Sequence, residues 1–483
     1  MTEFVRQQID GAARLLRNGK ITDAISILRP ILQEARTIGR AHALYLEAMI
    51  TAGDHRHALE FLQTSLNSPV DSADAYDALA YFSRMLGQHE ISLQMYRLAS
   101  EAAPNDAQIW YNRATSEHSL GNHSKAYEAC SRALDLDRGF RPAVLLRSEI
   151  SRATSTQNNI SDLRERLLES SDTQARGYIL FALGKELHEI GLYDEAFKAF
   201  AEASAIKRRS LQYDVATDEH KLRRIAEAFH SRKTSPERPA PGQHVFIIGL
   251  PRSGTTLTER LVGGLAGIRS NNETNNFSTA LMHHTQRKSG DVFSDAAQAD
   301  FKNVAAHYNL LAAHDGYAGK IIEKLPFNYL YVGAILQALP DASIIWVRRN
   351  PMDSCFAMYR TLFGAAYPFS YDFEDLARYY AAYSKLMEHW AELYSDRIAF
   401  VDYEQLVSKT DSIGPELASF CGLDWNNDAL DITSNSSASL TASAAQIRTP
   451  INTRSVHIWR EYGTHLSELE HHLSALGIDC RSC

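Results

Sequence analysis

A nine-residue segment rich in glycine and hydroxyl side chains is the clearest candidate for chemistry in this sequence. It reads Gly249-Leu-Pro-Arg-Ser-Gly-Thr-Thr-Leu257, directly after the apolar run 245–248 and before a run typical of a helix. A strand, a glycine turn and a helix aim backbone N–H groups and the positive end of the helix at one point. The segment therefore predicts an anion-binding loop. Its candidate binding residues are Pro251, Arg252, Ser253, Gly254, Thr255, Thr256 and Leu257.

The loop differs from a nucleotide-binding P-loop at one position. Gly249 and Gly254 match the pattern G-x-x-x-x-G-K-S/T, but Thr255 stands where the lysine would be, and a basic residue occurs earlier, as Arg252. That lysine normally contacts the β- and γ-phosphates, and the hydroxyl after it holds magnesium. A P-loop kinase or NTPase therefore stays an alternative that lacks its central residue.

Further basic and polar residues follow later apolar runs, where strands should end. Open α/β sheets bind ligands at the carboxyl ends of their strands. The candidates at such positions are Lys324, Arg348, Arg349, Tyr403, Ser443 and Arg448. Short continuous apolar runs are typical of buried parallel strands. The pattern predicts an α/β domain with a central parallel sheet, whose loop edge carries the site.

The first half of the chain repeats with a period of 34 residues. Gly19, Gly53, Gly87 and Gly121 keep this spacing, and each has a small residue five positions later; Gly191 shows the same pattern after an irregular interval. Such glycines end one helix so that the next can pack back on it. Over about residues 5–210 this resembles the tetratricopeptide repeat (TPR) family, which implies an α-helical solenoid. The repeat after Gly121 is degenerate, and a plain helical hairpin is an alternative there.

A proline-rich stretch at 231–243 divides the chain. Proline opposes helix formation and lacks an N–H donor, so this stretch predicts a linker. We expect a TPR domain at 1–230, the linker at 231–243 and the α/β domain at 244–483. The basic residues between 207 and 232 predict a solvated helix face.

The loop and the strand-end segments EKLPF, RRNP and DYEQL together resemble the PAPS-dependent sulfotransferases (PAPS is 3′-phosphoadenosine 5′-phosphosulfate). From about Ala182 onward the chain is similar to bacterial TPR-containing sulfotransferases, and its core to tyrosylprotein sulfotransferases. The resemblance implies in-line transfer of a sulfuryl group from PAPS to an acceptor hydroxyl, with PAP as the other product. It agrees with a protein or peptide as the acceptor, bound by the TPR array, while carbohydrate, lipid and small-molecule acceptors stay open. A purely structural array is the alternative.

The family's functional residues carry over one by one. Arg252 matches the arginine that contacts the transferring sulfuryl group, and Glu273, 21 residues later, matches the catalytic base. Lys324 matches the lysine that stabilises the leaving oxygen. Arg349 matches the ligand of the 3′-phosphate, with Arg348 as its rival. The remaining matches are Tyr403 near the cofactor, Ser443 near the bridging oxygens and Arg448 near the 3′-phosphate.

Two positions depart from the family pattern. Asn272 stands where a glycine usually precedes the base, and Ala357 replaces a serine that binds the 3′-phosphate. Ser354 lies almost one helical turn before Ala357 and could take over its role. The second departure keeps open a third interpretation, a non-catalytic TPR scaffold.

Composition narrows the possible functions. The 483 residues are 45% hydrophobic and 22% charged, with 58 acidic and 50 basic side chains and a net charge of −8. This balance argues against nucleic-acid binding. The absence of a long apolar stretch predicts no membrane span, and the absence of a secretory signal together with five sparse cysteines predicts a reduced, cytoplasmic location. The sequence leaves the oligomeric state open.

The sequence shows no complete metal-binding motif. Cys480 and Cys483 form a C-x-x-C without a second pair, and His283 and His284 have no further ligand at a suitable spacing. No paired carboxylate stands near the loop. We therefore expect no metal in the reaction, and the histidine pair is typical of a surface.

Overall fold

The computed structural model describes residues 3–34, 39–52, 54–67, 72–231, 240–313, 316–433, 435 and 448–481. The chain divides into two compact units, one up to Arg152 and one from Ala153 onward. Among the described residues, no helix is both long enough and apolar enough to cross a bilayer.

The first unit is an array of helices that pack against their neighbours along the chain. The helices are α1 (Glu3–Arg17), α2 (Ile21–Glu34), α3 (Gly39–Thr51), α4 (His55–Asn67), α5 (Ala73–Met85), α6 (His89–Ala102), α7 (Ala107–Ser119), α8 (His123–Leu136) and α9 (Arg141–Ile150). One apolar core runs through this array from Ile9 to Ile109. A single helix pair cannot bury its apolar stripe, so neighbouring pairs must stack. The predicted helical solenoid is confirmed.

The repeat glycines have the backbone that the pattern predicts. Gly19, Gly87 and Gly121 adopt φ of +72°, +72° and +82°, a left-handed conformation that costs glycine little. Gly53 lies outside the described residues. The small residues five positions after the four glycines are all fully buried: Ala24, Ala58, Ser92 and Ala126. They let the second helix of each pair approach the first closely.

The second unit begins with four helices that precede the sheet. They are α10 (Ile160–Glu169), α11 (Thr173–Glu189), α12 (Tyr193–Arg209) and α13 (Val215–Ala228). Gly191 joins α11 to α12 with φ of +83°, and Ala196 and Phe200 are buried. This helix pair therefore has the features of the repeat, although it packs in the same compact unit as the sheet.

Two basic residues of α12 and α13 form ion pairs with residues later in the chain. Arg208 Nε lies 2.7 Å from Asp375 Oδ2, and Arg224 Nη2 lies 2.6 Å from Asp291 Oδ2. Both arginine side chains stay about 30% exposed, so the predicted helix face is partly solvated and also forms ion pairs with acidic residues later in the chain.

Within the described residues, five parallel strands form one sheet in the order β2-β3-β1-β4-β5. The strands are β1 (His244–Ile248), β2 (Ile268–Ser270), β3 (Lys320–Lys324), β4 (Ser343–Arg348) and β5 (Ile398–Asp402). After β1, the chain forms β2 and β3 on one side of β1. It then crosses over and forms β4 and β5 on the other side. The carboxyl ends of β3, β1 and β4 are thus neighbours at the point where the strand order reverses, which is where such sheets bind ligands.

Helices connect the strands and cover the sheet. They are α14 (Thr255–Gly263), α15 (Asn276–His284), α16 (Val292–Ala296), α17 (Phe301–Ala312), α18 (Val332–Ala338), α19 (Pro351–Tyr359), α20 (Phe373–Leu393), α21 (Tyr403–Ser408), α22 (Thr410–Phe420) and α23 (Ser467–Ala475). Ile247, Ile322 and Ile345 form an aliphatic core with α14 and α22. Phe246 instead packs against Phe277 of α15 and Tyr308 of α17. The predicted α/β class with a parallel sheet is confirmed.

Candidate functional site

The loop between β1 and α14 needs glycine at both of its predicted positions. Gly249 has φ of +155°, and a Cβ there would lie 2.6 Å from the carbonyl oxygen of Val347. Gly254 has φ of +106°, and a Cβ there would lie 2.4 Å from the Tyr403 ring. Arg252 also has a left-handed φ, of +66°. Backbone strain at a non-glycine residue is concentrated at functional sites, so the loop has the geometry of a binding loop.

Unused hydrogen-bond donors converge on this loop. Gly254 caps α14 without a side-chain hydrogen bond to the helix, and the first N–H groups of any helix have no partner within it. The Ser253 side chain is buried, and its Oγ has no hydrogen-bond partner within the described residues. A buried polar atom without a partner is costly. The loop is therefore suited to an anion that accepts these hydrogen bonds.

Arg349 is fixed against the loop. Its side chain is buried, Nη1 donates to the carbonyl oxygen of Arg252 at 2.8 Å, and Nη2 donates to that of Ser455 at 2.5 Å. Its Cζ lies 4.9 Å from the centre of the Tyr403 ring. The remaining donor, Nε, has no partner among the described residues. A buried cation with an unused donor thus lies directly behind the loop.

Arg348 points to a different environment, although it is the neighbour of Arg349. Its side chain is 43% exposed and forms a 2.8 Å ion pair with Asp402. The guanidinium also lies over the rings of Trp346 and Phe400. Of the two rival arginines, only Arg349 has a described contact with the loop.

Lys324 ends β3 and is completely buried. Its Nζ contacts Glu273 Oε1 and lies 3.5 Å from Glu259 Oε2. The structure therefore brings the predicted lysine and the predicted base together. Glu259 is a partner that sequence reasoning missed, and only its position on α14, one turn after Thr255, could have indicated it.

Asn272 supports the turn that presents Glu273. It adopts φ of +57°, and its carbonyl oxygen accepts the Lys324 backbone N–H at 3.3 Å. Asparagine tolerates the left-handed region better than most residues do. The departure from the family's glycine is thus accommodated by the backbone.

Comparison with known proteins shows which families two segments of the chain are similar to. Residues 244–427 match the model of the family described as "Sulfotransferase family", and residues 107–140 match that of the tetratricopeptide repeat. Residues 244–427 are therefore similar to sulfotransferase domains. The activity of this domain class is sulfuryl transfer, and the loop and the basic residues around it belong to the matched region.

Two relatives show how far the similarity extends. An uncharacterised protein of Aquifex aeolicus (strain VF5) is 28% identical over 372 residues, which are 72% of this chain and 48% of the relative. The chain thus spans about half the length of that relative. A protein of Caenorhabditis briggsae named "Putative protein-tyrosine sulfotransferase" is 24% identical over 260 residues, which are 50% of this chain and 90% of the relative.

Two solved structures are each similar to about half of the chain, at low TM-scores. The match to the sulfotransferase domain of the Synechococcus PCC 7002 olefin synthase spans 52% of this chain and 99% of that domain, with 17% identity and a TM-score of 0.36. The MamA protein covers 44% of this chain and 98% of its own length, with 18% identity and a TM-score of 0.27.

A second buried carboxylate lies in the matched segment, on the other face of β3. Burial raises the pKa of Glu323 to about 7. Its Oε2 has no hydrogen-bond partner among the described residues, while the backbone N–H of Phe277 reaches Oε1 at 3.5 Å. Sequence reasoning missed Glu323 because it reads as one polar residue within an apolar strand.

The remaining predicted residues lie in different surroundings. Tyr403 begins α21 and packs over Gly254. Ala357 and Ser354 are both buried in α19, with Ser354 in its first turn. Arg448 donates to the carbonyl oxygen of Asn435 at 3.1 Å. Ser443 lies outside the described residues.

Proposed function

We propose that this chain transfers the sulfuryl group of PAPS to an acceptor hydroxyl by in-line displacement. The observation that carries the proposal is the convergence of unused donors on one loop. They are the Ser253 hydroxyl, the Arg349 Nε and the uncapped N-terminus of α14. These donors fit a ligand that has two separate anionic groups, as PAPS does.

Residues of the loop would hold the 5′-phosphosulfate, and Arg349 would hold the 3′-phosphate. The loop residues are Pro251, Arg252, Ser253, Gly254, Thr255, Thr256 and Leu257. Backbone N–H groups at a helix N-terminus bind such oxygens without the need for a basic side chain at every contact. Tyr403 supports both parts, because its ring lies against Gly254 and under the Arg349 guanidinium. Ser443 and Arg448 stay predictions as further ligands.

PAPS supplies an activated sulfuryl group. The chain's own residues must then stabilise the charge on the leaving group and accept the proton of the acceptor hydroxyl. Negative charge builds on the bridging oxygen as the bond to sulfur breaks. Arg252 and Lys324 would stabilise this charge from fixed positions, which is the most effective form of electrostatic catalysis. Glu273 is 38% exposed and would accept the proton of the acceptor hydroxyl.

The contact between Lys324 and Glu273 links these two roles. A buried lysine needs a compensating charge, and both Glu273 and Glu259 lie close to Lys324. Glu259 is buried and keeps Lys324 paired, which leaves the more exposed Glu273 free to turn to an acceptor. Since Lys324 supplies the positive charge at these carboxylates, we propose a reaction that uses no metal.

A protein or peptide is the acceptor that we propose, recruited by the TPR array. TPR arrays commonly mediate protein interactions, and residues 107–140 match such a repeat. The Caenorhabditis briggsae relative is named as a protein-tyrosine sulfotransferase, which agrees with this acceptor class.

Calorimetric titration with PAP tests the proposed function. We expect PAP to bind equally well with and without magnesium, and labelled PAPS to transfer its sulfuryl group to an acceptor. A P-loop kinase or NTPase would instead bind ATP with magnesium and ignore PAP. Binding of PAP without any transfer, across protein, peptide and small-molecule acceptors, would favour the non-catalytic scaffold.

A further inference from the structure

Three histidines converge where the last turn of α15 meets the middle of α17. His283 and His284 occupy the last turn of α15, and His307 lies in α17. One ring nitrogen from each lies within 4.8 Å of the other two. The ring centres are 4.8, 4.9 and 5.4 Å apart. The sequence shows only an adjacent pair, because the third histidine comes from a helix 23 residues further along the chain.

His307 brings an unused ring nitrogen to this cluster. The Nδ1 of His307 is buried and has no hydrogen-bond partner within the described part of the chain. A neutral imidazole with an unused ring nitrogen is the form in which histidine binds metals.

We propose that His283, His284 and His307 together bind one divalent transition-metal ion of the zinc class. Imidazole nitrogens are good ligands for zinc, at Zn–N distances of about 2.0–2.1 Å. Tetrahedral ligands at that distance are about 3.4 Å from each other, so the present spacing needs only small side-chain rotations to close. Three protein nitrogens leave the fourth position for water or another small ligand.

This site is separate from the sulfuryl-transfer site. Glu273 precedes the first residue of α15 by three positions, whereas His283 is seven positions into that helix. A helix rises about 1.5 Å per residue, so His283 lies about 10 Å along the axis from the start of α15. The metal would therefore not take part in the proton transfer.

The role that fits this position is a clamp between α15 and α17. Phe277 of α15 and Tyr308 of α17 pack on each other and on Phe246 of β1. The metal would join the same two helices at the histidine end of α15, while the other end carries the turn with Glu273. Metal binding to the folded state alone stabilises that state by mass action.

Metal titration of the full chain tests this proposal. The protein is prepared without a polyhistidine tag, treated with a chelator and titrated with Zn²⁺ in a calorimeter and with Co²⁺ in a visible spectrometer. We expect one ion per chain, a Co²⁺ spectrum typical of tetrahedral coordination and a higher Tm in the presence of Zn²⁺. The His307→Ala variant should lose all three signals.

A second histidine pair provides the matched control. His471 and His472 are adjacent in α23, with ring centres 6.1 Å apart, and belong to no three-residue metal cluster among the described residues. The double variant His471→Ala/His472→Ala should bind Zn²⁺ as the unchanged chain does. If His307→Ala unfolds, as judged by its far-ultraviolet circular dichroism, the double variant His283→Ala/His284→Ala takes its place. Absence of binding in the unchanged chain, or equal binding after the loss of His307, would overturn the proposal.

Discussion

Neighbouring residues in this chain have very different surroundings, and Arg348 and Arg349 show it best. Arg349 is buried against the loop with an unused Nε, while Arg348 is paired with Asp402 at the surface. We predict that Arg349→Gln weakens PAP binding by roughly 10- to 100-fold, since a hydrogen bond to a charged group contributes about 1.5–3 kcal/mol. Arg348→Gln should leave it nearly unchanged. Calorimetric titration measures both.

A second ligand separates a lost phosphate contact from general damage to the fold. Arg349 also holds two backbone carbonyls, so its loss could loosen the loop. AMP lacks the 3′-phosphate, and its affinity should change much less than that of PAP in the Arg349→Gln variant. Equal losses for both ligands would show that Arg349 supports the loop and does not bind the 3′-phosphate.

The pair of carboxylates beside Lys324 allows a similar comparison. General bases contribute about 10²- to 10⁴-fold to the rate, so Glu273→Gln should lower kcat by that factor while PAP still binds. Glu259→Gln removes the other carboxylate near Lys324 but leaves the exposed one in place. We expect it to lower kcat much less. If the two variants lose activity equally, the charge of Lys324 matters and Glu273 is not the base.

At the scale of elements, β3 places two ionisable residues on opposite faces of the sheet. Glu323 faces the aromatic side, and its raised pKa of about 7 compares with an ordinary value of 4.5. Between these two values the unfolded chain is ionised at this position while the folded chain keeps its proton, so stability falls as pH rises. Below about pH 4.5 and above about pH 7 this contribution is constant.

Urea denaturation at several pH values measures this effect. We predict that stability falls by on the order of 3 kcal/mol between pH 4.5 and 7 because of Glu323, at 1.36 kcal/mol per pKa unit. Glu323→Gln keeps the shape but cannot ionise, so its stability should depend less on pH in this window. The difference between the two proteins isolates Glu323 from the histidines, which titrate in both. Parallel curves would mean that water or Tyr308 already stabilises the charged form.

Helix α19 contains Ala357, which replaces the family's serine and bears on the predicted affinity for PAP. Ser354 and Ala357 are three residues apart and both buried, so they lie on one face of the helix. Restoring the family's hydroxyl as Ala357→Ser should tighten PAP binding by roughly 10-fold and leave AMP binding unchanged. Calorimetry with both ligands measures this.

Ser354→Ala is the matched variant for this helix. If Ser354 already supplies the hydroxyl, its loss should weaken PAP binding, and Ala357→Ser should then give no gain. Improvement of both PAP and AMP by Ala357→Ser would indicate a more stable helix. That result would count against a 3′-phosphate contact at position 357.

Strands and loop were predictable because their signals are local in sequence. The apolar runs before the loop and before Arg348 correspond to β1 and β4 within one residue, since a buried parallel strand is apolar on both faces. Glu259 and His307 could not be recognised in this way. Each acquires its meaning from a partner on another element, and no spacing within one helix or strand reveals that partner. The assigned roles of Arg252, Glu273 and Lys324 stay predictions.

At the scale of the whole molecule, the four helices α10–α13 are more than a connection between the repeats and the sheet. Ser204 Oγ donates to the Tyr359 carbonyl at 3.3 Å, and Arg378 holds Glu219 with two hydrogen bonds of 2.7 and 3.0 Å. Local sequence shows a proline-rich linker at 231–243, but it does not show these long-range contacts. The domain boundary predicted there therefore remains to be tested by truncation.

Two truncated chains test where the catalytic unit begins. A chain from Ala153 onward keeps α10–α13 and should fold and bind PAP as the full protein does. A chain from Ser231 onward lacks Arg208, which pairs with Asp375, and Glu219, one of the two acidic partners of Arg378. It also exposes the apolar surface that α12 and α13 cover. We predict a lower Tm for this second chain and loss of PAP binding, because the buried Asp375 loses its ion-pair partner and the newly exposed apolar surface also destabilises the folded state. Circular dichroism and calorimetry check this. Normal folding and PAP binding of the chain from Ser231 would instead establish the boundary at the proline-rich stretch.

The chain from Ala153 also tests whether the first unit recruits the acceptor, since it lacks that unit. If that unit binds a protein acceptor, KM for the acceptor should rise while kcat for a small acceptor stays the same. An unchanged KM would leave the array a structural role.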